Sequence, residues 1–391
     1  MSLLAKKIEE IDESDIDSLV ALQIPESIVI DYKRELISGS DKDRYEFLAD
    51  ISSFANTNGG ELIFGISESN GKPTEIGGID AENIDQDILR LEQIIRTGSR
   101  PTINGIQLRP VPLKSGKVAL LKRVPKSWAA PHQIGQQGSF RFFARGSNGK
   151  YQLYVDALRS AFGRGPELAE RIKLFRADRL AKIISNGGPT KLAGDSKIVV
   201  HLVPLDTFAT RASVNLNAIS QDRSILSSLL QTGGNIRVNL DGYVALSYKS
   251  DAADRAYAQL FRDGTLEIAE CVESWHVNGR NFLPGQHFDE IVQKIIHGAK
   301  AVFSKINVQG PIAVMLTLLG MEDRLMGSGK QYGYEHDRQF GQREIQCPEV
   351  ILDSLDGDAA ALAFAVVNLA WNAAGYEQSV FYDKKGKWIG K

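Results

Sequence analysis

Residues 25 to 66 constrain the fold more than any other stretch of this chain. Pro25 favours an extended start, and Ile28, Val29, Ile30 and Tyr32 are the β-branched and aromatic types of a strand. A helix follows, with Phe47, Leu48, Ile51 and Phe54 on one face. Asp43 stands as its N-cap, and Glu46 three places on completes the spacing of a capping box. "NTNGG" at 56–60 ends the helix, because Gly59 or Gly60 can take positive φ. "ELIFGI" at 61–66 is then a short buried strand. A strand, a helix and a buried strand in succession predict a mixed α/β (α+β) architecture.

Elsewhere the pattern predicts helices at about 15–23, 84–97 and 155–162, and strands at 105–112, 117–124 and 139–145. "SESNGKPTEIGG" reads as a loop. "GRGP" at 163–166 reads as a break before a further helix at 167–185. The second half opens with "KIVVHLVPL", and strands are expected at 236–248 and 257–273, the latter folded at Asp263-Gly264. An amphipathic helix at 289–306, the strand "IAVMLTLLG" and a last helix capped by Asp358 complete the reading. At 391 residues the chain is longer than one core usually serves. Three segments are expected: a first domain at 1–165, a helical linker at 166–195 and a second α/β domain at 196–391.

Composition excludes several classes. The chain is 43% apolar and 24% charged with a net charge of −2, which is ordinary for a soluble globular protein. Cys271 and Cys347 sit in no CxxC pair, so neither a disulfide framework nor a zinc site is indicated. The N-terminal apolar run is too short for a secretory signal and no stretch is long enough for a membrane span, so a cytoplasmic location without membrane contact is expected. "GSGKQ" at 327–331 lacks the first glycine and the Ser or Thr of a phosphate loop. The histidines show no zinc-binding pattern, and "GYEHDRQFGQRE" at 333–344 reads as a solvated charged loop.

Three features carry chemistry. Asp31 and Lys33 lie two apart on a strand and share a face. A carboxylate there can hold a divalent ion, and the lysine can orient water or steady charge on phosphorus. The same pair also fits an ordinary charged strand face. Glu26 lies near the strand start, where a bend can bring it round. Glu68 follows the buried strand and can emerge beside Asp31, or lie in a solvated loop. Three converging carboxylates would repel one another, and Mg²⁺ or Mn²⁺ relieves such repulsion. The third feature is charge: residues 101–150 contain nine Lys or Arg and no Asp or Glu. Trp128, Phe140, Phe142 and Phe143 are interleaved with Lys122, Arg123, Lys126, Arg141 and Arg145, the composition of a phosphate-contacting, base-stacking strip.

"ESIVIDYKREL", "ADISSFANTNGGELIFGISE" and "GSFRFFARGSNGKYQL" together resemble the AlbA-like domain of the Schlafen superfamily, over about residues 15 to 165. The resemblance implies binding of nucleic acid, RNA or DNA. It also implies a metal-dependent endoribonuclease acting on tRNA or similar RNA, as in nuclease-active Schlafens. Carried over by position, the three metal-holding acids fall on Glu26, Asp31 and Glu68, with Lys33 as the supporting lysine and Mg²⁺ or Mn²⁺ as the ion. Asp31 stands where Glu is usual and Glu68 where Asp is usual. The basic residues implied as nucleic-acid contacts are Arg141, Arg145, Lys122, Arg123 and Lys126. The two-lobed core of vertebrate relatives implies a partner lobe, which a homodimer or the second half would supply. Bacterial relatives imply a place in phage defence. The rival reading is a non-catalytic DNA- or RNA-binding module that serves as regulator or scaffold.

Overall fold

The structure, a computed structural model, describes residues 3, 6–136, 139–205, 207, 216–222, 224–232, 234–250, 253–272, 275–308, 310–329 and 338–390. Gln331 of the "GSGKQ" run and residues 333–337 of the charged loop, His336 included, lie outside the described residues. The chain divides into two compact units, Met1–Ala169 and Glu170–Lys391. No helix among the described residues is long and apolar enough to cross a membrane.

The first unit opens with a helix α1, Glu13–Ala21, closed at its start by Asp12. The Asp12 side chain accepts the Ser14 and Asp15 amides, and the Asp15 side chain accepts the Asp12 amide in return. Then come β1 (Ile30–Lys33), α2 (Asp41–Ala55), β2 (Gly60–Phe64), β3 (Ile66–Ser69) and β4 (Lys72–Ile76). They are followed by α3 (Ile84–Gly98), β5 (Ser99–Arg100), β6 (Gln107–Pro112) and β7 (Val118–Val124). The unit ends in β8 (Gln133–Gln136), β9 (Ser139–Gly146), β10 (Gly149–Gln152) and the start of α4 (Val155–Ile184).

β1 and β2 pair in parallel through α2, and β7 and β6 continue that sheet antiparallel in the order β1-β2-β7-β6. Strand alternation splits its side chains between two cores. Ile30, Tyr32, Ile63 and Leu121 pack with Ile11, Ile16 and Leu19 of the N-terminal segment. Leu62, Phe64 and Leu120 pack with Phe47, Ile51 and Phe54 of α2 and Leu91 of α3. A second antiparallel sheet, β10-β9-β8-β5, lies against α2 as well, where Leu48 and Ala49 meet Ile134 and Phe143. Helix α2 is therefore buried between two sheets.

Four readings of the first half are corrected. The N-cap of α2 is Ser40, whose hydroxyl accepts the Asp43 amide at 3.1 Å, while Asp43 turns its carboxylate to Ser38. Residues 66–76 form the β3–β4 hairpin, not a loop. Asn70 (φ 54°) and Gly71 (φ 71°) supply the two left-handed positions of a tight hairpin turn. "GRGP" does not break α4, which runs unbroken from 155 to 184. A Cβ at Gly163 or Gly165 would meet nothing within 4 Å, so no packed neighbour pins a turn there. α1 also begins two residues before the expected start.

The second unit is built on one antiparallel sheet. Its strands are β11 (Lys197–Pro204), β12 (Asn235–Asn239), β13 (Gly242–Ser250), β14 (Ala253–Phe261), β15 (Leu266–Cys271), β18 (Ile312–Leu319), β21 (Glu344–Gln346) and β22 (Val350–Leu352). A smaller sheet joins β16 (Trp275–Val277), β17 (Arg280–Pro284), β19 (Arg324–Gly327) and β20 (Arg338–Gln339). The turn at Asp263-Gly264 forms as read, with the Asp263 side chain accepting the Thr265 amide at 2.9 Å. The strand expected at 236–248 is instead the β12–β13 hairpin, where Asn239 Oδ1 accepts the amides of Asp241 and Gly242. Two helices, α5 (Gly285–Lys305) and α6 (Ala359–Ala373), cover one face of the sheet with Ile291, Ile295, Val302, Val366 and Trp371. Leu180 and Ile183 of α4 pack on the other face against Val199, Tyr257 and Ala269.

Candidate functional site

Asp31 and Lys33 leave β1 on its α2 side, paired in register with Leu62 and Phe64. Asp31 Oδ1 accepts from Lys33 Nζ at 2.7 Å, and Oδ2 accepts from the Arg145 guanidinium at 2.7 Å. Burial opposes the charge of Asp31, but Lys33 and Arg145 overcome it and hold its carboxyl below the usual range. A second carboxylate, Asp50 of α2, completes the cluster. It meets Lys150 Nζ at 2.8 Å, Lys33 Nζ at 3.7 Å and Arg145 at 3.8 Å. Asp50 is 3% exposed, and burial pushes its carboxyl up despite these cations. Lys150 also pairs with Glu46 at 2.8 Å, one helical turn before Asp50. Lys33, the more exposed cation of the cluster, and Asp50 line a cleft of about 250 Å³ floored by Leu36, Phe47, Leu62 and Phe64.

The "NTNGG" run builds this cluster. Asn56 stands at the end of α2 and donates to the carbonyls of His132 (3.1 Å) and Phe143 (2.8 Å). Its Oδ1 accepts the His132 amide at 2.6 Å. Thr57 Oγ1 accepts the Arg145 amide at 2.9 Å. Helix α2 is thus stitched to the second sheet, and Arg145 is delivered to Asp31 with its guanidinium 4.2 Å from the centre of the Phe54 ring. Gly60 is required here because a Cβ would stand 2.3 Å from that same ring.

Glu26 is brought round by a bend. The Ser27 amide donates to Ile30 O at 3.0 Å, and Glu26 Oε1 accepts the Tyr32 amide at 3.2 Å. The Glu26 amide donates to Gly71 O at 2.7 Å, while the exposed Glu68 accepts the Gly71 amide at 2.6 Å. The β3–β4 turn therefore holds both glutamates. Partial burial, and then the charge of Asp31, raise the Glu26 carboxyl.

The three carboxylates are already engaged within the protein, though Glu26 and Glu68 each keep one oxygen clear of these bonds. Both oxygens of Asp31 are engaged by protein cations, and Glu26 and Glu68 each accept a backbone amide. No group of three or more His, Cys, Asp or Glu among the described residues is arranged to hold a metal ion.

Three of the five expected nucleic-acid contacts are placed inside the unit. Lys122 is fully buried with its ammonium 4.4 Å from the Phe47 ring, and burial pushes it down to about 7. Arg123 bonds Glu61 at 3.0 Å and the carbonyls of Lys6 and Leu3, which fastens the N-terminal segment to the sheet. Arg145 is the partner of Asp31. Arg141 is exposed and donates to Gln152 at 3.2 Å, and the Lys126 ammonium lies 4.6 Å from the Trp128 ring. Along β9, β10 and the residues just after, Phe140, Tyr151 and Tyr154 are 65%, 52% and 72% exposed.

Asp50, Glu46 and Asn56 were not foreseen as site residues. One signal was present: Asp50 interrupts the apolar face formed by Phe47, Ile51 and Phe54, and a carboxylate there demands cations.

Residues 26–153, less than half of the chain, match the family model described as Schlafen, AlbA_2. No curated protein matches the chain. Among solved structures, the DIP2311 protein of Corynebacterium diphtheriae is similar at 19% identity with a TM-score of 0.25. That match covers 36% of this chain and 26% of the other.

Proposed function

We propose that the first unit binds nucleic acid through the β9–β10 edge of its second sheet. The observation that carries this reading is the run of exposed rings Phe140, Tyr151 and Tyr154 along β9, β10 and the residues just after, with Arg141 exposed on the other face of β9, in a segment free of acidic residues. Every base has a face that stacks on an aromatic ring, and a guanidinium on the same strand attracts the phosphate. Schlafen AlbA_2 domains are generally nucleic-acid-binding, which supports the same reading. A single-stranded or looped RNA suits such a surface better than a duplex, whose bases are already stacked.

The test is fluorescence anisotropy with a labelled single-stranded RNA, a tRNA and a matched DNA duplex across a salt series. Binding should weaken steeply with salt. Phe140→Ala and Tyr151→Ala should each weaken the single-stranded complex roughly fivefold or more. Wild-type binding no stronger than that of a Phe140→Ala, Tyr151→Ala double variant would overturn the assignment.

A second reading, metal-dependent cleavage of the bound RNA with Mg²⁺ or Mn²⁺, keeps one observation in its favour. Glu26 lies within the field of both Asp31 and Glu68, and both push its carboxyl up. Total tRNA incubated with Mn²⁺ and either wild type or Glu68→Gln tests it. Equal cutting by both, or none by either, ends that reading.

A further inference from the structure

The second unit contains two buried glutamates on one strand, and their surroundings differ. Glu267 points to the α4 side of the sheet and is fully met. Arg179 approaches its two oxygens at 2.7 and 2.8 Å, His201 Nε2 lies 3.0 Å away and the Tyr257 hydroxyl donates at 2.8 Å. Glu270, three residues on, points to the opposite face. It is 2% exposed, and its Oε2 has no hydrogen-bond partner among the described residues. Arg255 stands off at 3.8 Å from Oε1.

Burying a carboxylate oxygen without a donor is costly, and a core this well packed has no evident structural use for it. Glu270 also lines a cleft of about 270 Å³. The other walls include Ile198, Leu283, Phe288 and Ile291, all buried, and Trp275, which is 47% exposed. Arg255 and His287 line it as well, and such a mostly apolar cleft with a few polar groups has the anatomy of a small-molecule site. The charge of Glu270 is offset by Arg255 and Lys294, both of which act on it. An ammonium head would meet those two cations, so a neutral donor is favoured.

We propose that the cleft walled by β15, β17 and α5 binds a small, largely apolar molecule through a neutral N–H head that donates to Glu270 Oε2, with Trp275 as an aromatic wall. The ligand class is that of aromatic amides, lactams and nucleobases, which join a flat apolar body to an N–H donor. Burial pushes the Glu270 carboxyl up to about 7, so an acceptor is present at pH 8. This inference is independent of the first unit and of its nucleic-acid reading.

The test uses the full chain labelled with 5-fluorotryptophan at pH 8. Its four tryptophans give separable fluorine signals, and Trp275→Phe identifies the relevant one. Benzamide is the probe, with methyl benzoate (same shape, no donor) and benzylamine (a cation) as contrasts. The expected result is a saturable shift of the Trp275 signal by benzamide, with binding at least about tenfold tighter than either contrast. Glu270→Leu should lose that preference while melting at a higher temperature than wild type, because an unmet carboxylate is removed. Leu283→Phe, which narrows the cleft and keeps Glu270, should lose binding altogether and serves if Glu270→Leu does not fold. No saturable shift with benzamide, or an unchanged preference in the folded Glu270→Leu variant, would overturn the proposal.

Discussion

Asp31 holds two cations at once, and that fixes what its removal does. Its partner Arg145 is 3% exposed and cannot reach water without opening the sheet–helix interface. Truncating one member of a buried ion pair leaves the other charge unmet and costs about 3–5 kcal/mol. Asp31→Ala is therefore expected to lower the unfolding free energy measured by urea titration by that much, whether or not the residue takes part in chemistry. Loss of activity in Asp31→Ala alone would not identify a catalytic acid. Glu68, exposed and bonded among the described residues only to the Gly71 amide, is the cleaner probe. Glu68→Gln should change stability by less than about 0.5 kcal/mol under the same titration. A large loss there would show that the β3–β4 turn depends on the charge and not on the bond alone.

Helix α2 is the element on which the first unit turns, and its last residues do the joining. Asn56→Ala removes three hydrogen bonds between α2 and the second sheet. At about 1 kcal/mol each, with two carbonyls and an amide left unmet, the cost should be roughly 2–4 kcal/mol. Hydrogen exchange should localise the loss to the amides of β8 and β9, and uniform deprotection of the unit would contradict the stitching role. The sequence made this element legible in part. Its apolar face, its glycine stop and the buried strand after it follow from local rules, and the structure has all three. The bend that carries Glu26 back to β1 was also open to local reasoning. The β3–β4 hairpin was legible in Asn70-Gly71, yet the charged residues around it read as a loop. What local rules could not reach was the pairing across the unit. Arg145 and Lys150 lie about a hundred residues from Asp31 and Asp50, and only the folded chain shows them as ion-pair partners instead of free phosphate contacts. Lys122 and Arg123 were misread for the same reason: their strand is buried on both faces.

At the scale of the whole molecule, the second unit carries opposed titrations that set the pH of greatest stability. Burial opposes the Glu267 charge, but hydrogen bonds from Arg179 and His201 bring its carboxyl down to about 2, against an ordinary 4.5. A depressed carboxyl contributes stability that is present above pH 4.5 and lost as pH falls towards 2. Asp289 and Glu270 run the other way, since burial raises both to about 7. Asp289 keeps that position although it accepts from Trp371 Nε1 at 2.9 Å and from the Ser379 hydroxyl. Raised carboxyls contribute stability that is fully present near pH 4 and lost as pH rises through 7. Each effect is worth roughly 3–4 kcal/mol at most. The unit should therefore be most stable between about pH 4 and 5, and melt roughly 10–25 °C lower at pH 8. Tryptophan fluorescence can follow this, because Trp275, Trp371 and Trp388 lie in the second unit and only Trp128 in the first. Asp289→Asn should flatten the neutral limb of the melting profile, and Glu267→Gln should flatten the acid limb. A wild-type profile that rises steadily from pH 4 to 8 would mean that Asp289 and Glu270 are charged in the folded protein, and that water or a ligand reaches the oxygen of Glu270.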